Sequence, residues 1–587
     1  MWFIEDLRRL QQERQAIERL EMDSDWLRGT DWLLVGAHLC VDADLEAHGH
    51  IYEVRLRYPE LFPEVPPAVI PRTGSERWSS HQYGDGGTLC LEWGPDNWHV
   101  GVTGAAMLES AHKLLLGENP RGGEPKFSLP SRHQLSAGQR LRQQPGRFYA
   151  GRSIIRACRE APIGVTGSAE VAVIFHKSSL VAFISSFAEA GDQPTIEATL
   201  PQALHEDPLL RMAKYPAAFS KAPLSGDEVS AVRSQAHLRE LVCAGQSGDA
   251  GFAAWKGMSN SSSDTFAVLV ADRDGELHLF IVVDPTQPEV WQLVRLPDDP
   301  EESHRLPVEA EQLTTKRVGI VGLGSLGSKI ALSLARCGVH RFVFADDDIY
   351  LPGNSVRNAL DWRAVGEHKV DATAEALALL CTQVEVDLRR VKLTGQESPT
   401  LVNGTLTQLA ACDIVIDATA DPSAFNILAA LARRHEKPLV WAEVYAGGIG
   451  GSVARFRPGK DPNPQLMRGA YLAYAAQQTE PIPVVVTSYA AEAGHERPVA
   501  SDADVSVIAA HATRLATDTV LGVEPSDYPY SMYLIGTQRG WVFSAPFEAV
   551  PIRTDHLAHE QEPKSAGPEV IQEAGTFLMG LVEKIRR

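Results

Sequence analysis

The sequence predicts a multidomain α/β chain, and three observations carry that reading. The chain has 587 residues, roughly four domains at about 150 residues each, with two or three large ones equally compatible. From Lys316 onward apolar strands alternate with helices, the pattern of a parallel sheet covered on both faces. Two upstream stretches, before residue 120 and over 152–310, carry strand and helix patterns of their own. Between them, 121–151 is rich in Gly, Pro, Ser, Arg and Gln and reads as a linker. A hydrophobic fraction of 44% supplies enough apolar material for several cores.

At the N-terminus, Ile4, Leu7, Leu10, Ile17 and Leu20 recur among charges, which predicts an amphipathic helix over 4–20. Strand-like runs follow at Trp32–Val35 and Tyr52–Leu56, then a helix Ala105–Leu116 that stops at Gly117. In the middle region, strand patterns fall at Val171–Phe175, Leu180–Ile184, Phe266–Val270 and Leu277–Val283. The last two flank Asp274-Gly275, a hairpin signal. Ser259–Ser263 reads as a flexible loop, and the region offers no catalytic constellation. Toward the C-terminus, strands are expected at Val318–Val321, Phe342–Ala345, Asp413–Ile416 and Pro438–Trp441, with a helix at Lys329–Cys337. After Gly567-Pro568, the residues Val570, Ile571, Phe577, Leu578 and Leu581 predict a packed terminal helix.

Charge and cysteine content narrow the function classes. Acidic residues number 75 and basic ones 55, a net charge of -20. That balance argues against sequence-blind nucleic-acid binding and against an anionic membrane surface. Acids at Glu5 and Asp6 with no apolar run behind them speak against a secretory signal, and no uncharged run is long enough to span a bilayer. Seven cysteines, none in a Cys-x-x-Cys pair, speak against a disulfide framework or a four-cysteine zinc site. The expected compartment is a reducing cytoplasm.

Chemistry concentrates first at Gly322-Leu323-Gly324-Ser325-Leu326-Gly327, which follows a strand and opens a helix. Glycines there let backbone N–H groups approach phosphate at a helix N-terminus. Asp346, at the end of the next strand, suits ribose hydroxyls, and Asp348 can point the same way. To this point a nicotinamide dehydrogenase and an ATP-using enzyme fit equally. Asn354, Arg357, Lys369 and Asp421 separate them. Transfer at the α-phosphate of ATP needs cationic charge as pyrophosphate leaves. Arg357 can clamp phosphate, Lys369 can neutralise it, and Asp421 can hold Mg²⁺, a hard cation that prefers oxygen.

With those residues in place, 316–456 resembles the adenylation domain of ubiquitin-activating and ThiF-type enzymes. The glycine loop, Asp346-Asp347-Asp348, Asn354-Ser355-Val356-Arg357, Lys369 and Asp417-Ala418-Thr419-Ala420-Asp421 fall where that family has its motifs. The resemblance implies a Rossmann-like domain over 311–587 that uses ATP and Mg²⁺. A protein C-terminal carboxylate would attack the α-phosphate and give an acyl-adenylate.

A second constellation lies upstream. Tyr58-Pro59 and Pro63-Glu64-Val65-Pro66-Pro67 precede His81, Gly86-Gly87-Thr88-Leu89-Cys90-Leu91 and Asp96-Asn97-Trp98. A nucleophilic cysteine needs access to a bulky acyl donor. Leu89 and Leu91 fit a buried structural cysteine equally well. In order and spacing, residues 1–120 resemble the α+β ubiquitin-conjugating fold, which puts Cys90 at the acceptor position and His81 at the motif histidine. Gln82-Tyr83 stands where that family has Pro-Asn, so its oxyanion-stabilising asparagine is missing. Asn97 or a backbone amide is the candidate replacement.

Both halves in one chain resemble the fused activating–conjugating proteins of bacterial CBASS antiphage operons. That resemblance implies a relay from adenylate to Cys90 thioester to an amine acceptor of unknown identity, with an inactive adenylation-like middle domain over 152–310. It further implies a homodimer and a cGAS-like nucleotidyltransferase as the substrate whose C-terminus is activated. The family also has a second cysteine before its late helix. No cysteine follows Cys412 here, and alignment of the motifs puts that position at Ala493. Either Cys90 takes the acyl group directly from the adenylate, or Ala493 stands in for a cysteine. The competing reading is a ThiF-like adenylyltransferase for a sulfur-carrier protein, without conjugation.

Overall fold

A computed structural model describes residues 1–73, 78, 79, 82, 83, 86–119, 121, 141, 145–189, 194–198, 200, 201, 204, 212–243, 265–283, 289–296, 310–381, 383–478, 499–558 and 567–586. The chain forms two compact units, Met1–Gln144 and Pro145–Arg587. Among the described residues, no helix is long and apolar enough to cross a membrane.

The first unit is a four-stranded antiparallel sheet in sequential order: β1 (Leu27–Val35), β2 (His38–Ala47), β3 (His50–Arg57) and β4 (Ala68–Pro71). Alternate residues of β2 and β3, Val41, Ala43, Leu45, Tyr52, Val54 and Leu56, point into one core with Leu108, Ala111 and Leu115 of the helix Gly104–Glu118. That helix runs past Gly117 and ends on Asn119, whose left-handed φ of 48° supplies the C-cap.

The predicted N-terminal helix is two helices. Asp6 leaves helical geometry and caps Leu7–Asp23 by accepting from Arg9 N at 3.0 Å. The buried stripe is also rotated: Ile4 and Leu7 are exposed, while Arg9 and Glu13 face inward with Ile17 and Leu20. A polar network sets that phase. Glu13 is 0% exposed and accepts from Tyr58 Oη at 2.8 Å and Gly104 N at 2.7 Å. It also pairs with Arg9, which donates to the carbonyls of Val100 and Val102. A buried carboxylate with two hydrogen bonds on one oxygen and an ion pair on the other fixes register more strongly than two leucines do.

In the second unit, β5 (Gly146–Tyr149), β6 (Thr166–Phe175), β7 (Leu180–Glu189), β8 (Ile196–Glu197), β9 (Met212–Lys221), β10 (Phe266–Ala271), β11 (Leu277–Val282) and β12 (Trp291–Arg295) form one sheet. β5 pairs with both β12 and β7, so seven of these strands close on themselves. Gly275, at φ 88°, turns the expected β10–β11 hairpin. This closed order mixes parallel and antiparallel pairs and differs from the open sheet that follows it. Residues 259–263 lie outside the described residues.

The open sheet runs β15 (Glu385–Arg389), β14 (Arg341–Ala345), β13 (Arg317–Val321), β16 (Ile414–Asp417), β17 (Leu439–Val444), β18 (Gly450–Phe456), β19 (Met532–Gly536) and β20 (Ala549–Pro551). The first five are parallel; β18–β20 are antiparallel, an extension that the strand–helix alternation did not announce. Inward residues alternate between two cores. Val318, Ile320, Phe342 and Phe344 meet the helices Ser325–Arg336, Lys369–Leu380 and Asp502–Leu521. Val343, Ala345 and Val415 meet Pro399–Ala410, Pro422–Arg434 and Pro464–Ala476. The chain leaves β13 toward β14 on one side and reaches β16 on the other. The crevice at the carboxyl ends of β13 and β16 is therefore a topological switch point, the usual ligand site of such sheets.

The terminal helix exists at Pro568–Arg586, but no described segment packs over its apolar residues: Phe577 is 67% and Met579 68% exposed. Its apolar residues recur at helical spacing, which gives a helix without supplying a surface to cover it.

Candidate functional site

The glycine loop closes by backbone contact. Gly322, at φ +85°, donates its N–H to Ala345 O at 2.9 Å and ties the end of β13 to the end of β14. A Cβ on Gly327 would lie 1.8 Å from Gly322 O, so only glycine lets the helix start this close. Gly324 is the N-cap of Ser325–Arg336, and no side chain caps that helix. Its first-turn N–H groups are open to an anion.

Asp346 does two jobs. Its carboxylate accepts from Leu323 N at 2.6 Å and Asp348 N at 2.8 Å, holding both loops in register. Burial pushes its carboxyl above the ordinary range, against those N–H groups and the nearby Lys369 ammonium. Lys369 is 5% exposed; its Nζ meets Asp348 Oδ2 at 2.7 Å and its backbone N meets Asp348 O at 3.0 Å. Asp346, Asp347 and Asp348 each bring a carboxylate oxygen within 4.8 Å of the others. Asn354 accepts from Leu351 N at 2.9 Å in the short helix Pro352–Val356. Arg357 follows it, half-buried, and its guanidinium makes no hydrogen bond or ion pair with any described residue.

Asp421 sits where the sequence put it, after β16, and is an N-cap: Oδ1 accepts from Ser423 N at 2.8 Å and Oδ2 from Thr394 Oγ1 at 2.9 Å. Each oxygen keeps a second lone pair. Asp417, at the end of β16, has its ionisation disfavoured by burial first and also by the neighbouring Asp421 carboxylate. A hard divalent cation relieves that repulsion, so the donor set fits Mg²⁺.

Sequence reasoning missed three supports. Asn358 is buried, donates to Leu323 O at 3.3 Å, accepts from Leu360 N at 3.1 Å, and so fastens the Arg357 segment to the glycine loop. Its position next to Arg357 was the only signal. Thr394 holds Asp421 from a distant loop and had none. Asp417 lay within the recognised segment without a role; it accepts from Thr419 N at 3.0 Å and Thr419 Oγ1 at 2.6 Å.

Burial raises the Asp417 carboxyl to about 6. The folded chain then holds this proton to higher pH than the unfolded chain, so its contribution to stability is lost as pH rises from about 4 to about 6. Asp417→Asn is expected to flatten the melting temperature over that interval, by at most about 3 kcal/mol of pH-dependent stability. Thermal melts at half-unit steps from pH 4 to 7 check it, and an unchanged slope refutes the assignment.

In the first unit, Cys90 follows the bridge between Gln82 and Leu89 and is half-buried, between buried Leu89 and Leu91. Its Sγ lies 3.9 Å from Tyr83 Oη. Among the described residues Cys40, Cys158 and Cys412 are fully buried, and no disulfide forms. Burial lifts the Cys158 and Cys412 thiols to about 12, which makes them inert at neutral pH. Asn97, the expected substitute, builds a turn: its Oδ1 accepts from Gly94 N at 2.9 Å and its Nδ2 donates to Glu92 O at 3.1 Å. His81 and Ala493 lie outside the described residues.

Comparison with known proteins agrees with the C-terminal geometry. Residues 302–515 match the ThiF family, so the chain carries a ThiF-family domain. The uncharacterized protein y4oA of Sinorhizobium fredii is 35% identical over 164 residues, 26% of this chain and 28% of that one. The ATP-dependent ubiquitin transferase-like protein Cap2 of Enterobacter hormaechei subsp. hoffmannii is 33% identical over 128 residues, 22% of this chain and 20% of that one. These matches span under a third of either relative. Among solved structures, E. coli MccB with ATP aligns with 43% of this chain and 68% of its own, at 15% identity and a TM-score of 0.32.

Proposed function

We propose that the chain activates a protein C-terminus with ATP and passes it, through a thioester on Cys90, to an amine. The observation that carries the first step is a glycine loop at the switch point flanked by two differently held cations. Lys369 is fixed by Asp348, and the Arg357 guanidinium has no partner among the described residues. An ion-pair network built for stability would satisfy both; a site for a polyphosphate leaves one open.

The ThiF-family domain supports adenylation. A substrate carboxylate oxygen bonds to the α-phosphorus as the bond to the β-phosphate oxygen breaks, and pyrophosphate leaves. Arg357 and the first-turn N–H groups of Ser325–Arg336 would meet the charge that develops, and Lys369 would neutralise the phosphates. Mg²⁺ at Asp421 adds charge neutralisation. A thiolate then displaces AMP from the acyl group, and an amine displaces the thiolate. The local likeness to Cap2, named as a ubiquitin transferase-like protein, supports a transfer that follows activation. In that setting the substrate is the C-terminus of a cGAS-like nucleotidyltransferase primed in antiphage defence.

Co-expression with a nucleotidyltransferase from the genetic neighbourhood tests this. The parent chain is expected to show partner-dependent ATP–pyrophosphate exchange. Ala493→Cys is expected to add a reducible adduct of the partner's mass, and Cys90→Ser to abolish conjugation. Exchange and sulfur transfer that persist fully in Cys90→Ser would point to a sulfur-carrier adenylyltransferase. An absence of exchange would refute the reading.

A further inference from the structure

We propose that the Tyr83 hydroxyl is the hydrogen-bond donor that stabilises the oxyanion formed when an acyl group on Cys90 is attacked. The inference rests on Cys90 being an acyl acceptor, as proposed above. The Cys90 thiol donates to Tyr83 Oη across 3.9 Å, and acylation of the sulfur removes that S–H, leaving the phenol O–H as the donor of the pair. The carbonyl oxygen of a thioester is two bonds from that sulfur, so a small change in the Tyr83 χ1 angle brings the hydroxyl to the oxygen.

The loop is built to hold this residue in place. Tyr83 N donates to Thr88 O at 3.0 Å, and Leu89 N donates to Val69 O at 2.8 Å, fastening the hairpin to β4. Gln82 is buried and works from both ends of its amide: Oε1 accepts from Trp78 N at 2.8 Å, and Nε2 donates to Gly87 O at 3.1 Å. A Cβ on Gly87 would fall 1.7 Å from Tyr83 O, so Gly87 is glycine because Tyr83 is packed against it. The residue pair that departs from Pro-Asn thus has an internal logic: Gln82 anchors and Tyr83 presents. Partial burial raises the phenol above its ordinary range, so it remains a protonated donor at neutral pH.

In the step, the amine nitrogen bonds to the thioester carbonyl carbon and the C=O π pair moves onto oxygen, where Tyr83 O–H donates without giving up its proton. The pair then returns, the C–S bond breaks, and Cys90 leaves as thiolate. The surplus amine proton passes to water. Because Tyr83 is 61% exposed, water competes for the oxyanion. The expected effect is therefore about tenfold, below the 10²–10³ typical of a dry site.

The test uses the full chain and a short peptide ending in glycine, supplied as its mercaptoethanesulfonate thioester, with free lysine as the amine. Tyr83→Phe is expected to slow discharge of the Cys90 acyl adduct to lysine about tenfold. Its melting temperature and its rate of Cys90 alkylation by iodoacetamide, which forms no oxyanion, are expected to stay within twofold or a degree of the parent. Discharge at the parental rate overturns the proposal. Alkylation falling in step with discharge also overturns it, since the contact would then tune the thiol itself. If the parent chain forms no adduct that Cys90→Ser lacks, the acceptor reading fails first and takes this one with it.

Discussion

Gly327→Ala is expected to abolish the rise in melting temperature that ATP with Mg²⁺ gives the parent chain, and to lower stability by about 3 kcal/mol on its own. The obstruction is backbone. The new methyl would sit 1.8 Å from Gly322 O and 3.3 Å from Ala418 Cβ. Neither group can turn aside, because Gly322 N is tied to Ala345 O and Ala418 N to Val321 O. The helix Ser325–Arg336 must therefore back away from the strand ends, and its uncapped first turn moves with it. Gly324→Ala supplies the contrast. Nothing lies within 4 Å of its added Cβ, and its φ of -67° suits any residue. That variant is expected to keep parental stability without nucleotide to within about 0.5 kcal/mol. Differential scanning fluorimetry with and without nucleotide separates the two. A parental nucleotide shift in Gly327→Ala would sink the phosphate-loop assignment.

Such local steric logic is what the sequence made legible. The spacing from Gly322 to Asp346 and on to Arg357, Lys369 and Asp421 follows from strand and helix lengths in a parallel sheet, and periodicity reports those lengths. The structure brings Asp346, Asp348 and Lys369 together through contacts of 2.7–2.8 Å. What stayed hidden came from long-range pairing. β18–β20 add to the sheet by antiparallel contacts that no helix-alternation pattern encodes, and β5 closes the middle sheet through partners more than 30 residues away. The N-terminal helix was placed but misphased, because Arg9 and Glu13 look like surface residues until Tyr58 Oη and Gly104 N satisfy the carboxylate. At the terminal helix the opposite error arose: Phe577 and Leu578 read as core, yet no described segment covers them.

Arg357→Ala is expected to lower partner-dependent ATP–pyrophosphate exchange by about 10²–10³, while stability changes by less than about 0.5 kcal/mol. The dissociation of the two effects follows from how the side chain is held. Arg357 is half-buried and its guanidinium forms no ion pair among the described residues, so its removal strands no carboxylate and opens no core. Its backbone role, donating N–H to Asn354 O at 3.2 Å, survives in alanine. Lys369→Ala must behave differently. It removes a buried ammonium and leaves Asp348 Oδ2 without its partner. Asp348 is 55% exposed at its side chain and can turn to water, so the stability loss stays near 1 kcal/mol, while exchange falls as far as in Arg357→Ala. Arg357→Lys discriminates further, since a point charge cannot grip a phosphate through two parallel N–H bonds. It is expected to recover only part of the lost exchange. Full exchange in Arg357→Ala, measured beside an inactive Lys369→Ala, would leave lysine as the sole phosphate cation and remove the observation on which adenylation at this site was argued. Both inactive at near-parental melting temperature is the outcome that only a site for a polyanion produces, because neither charge would then have been serving the fold.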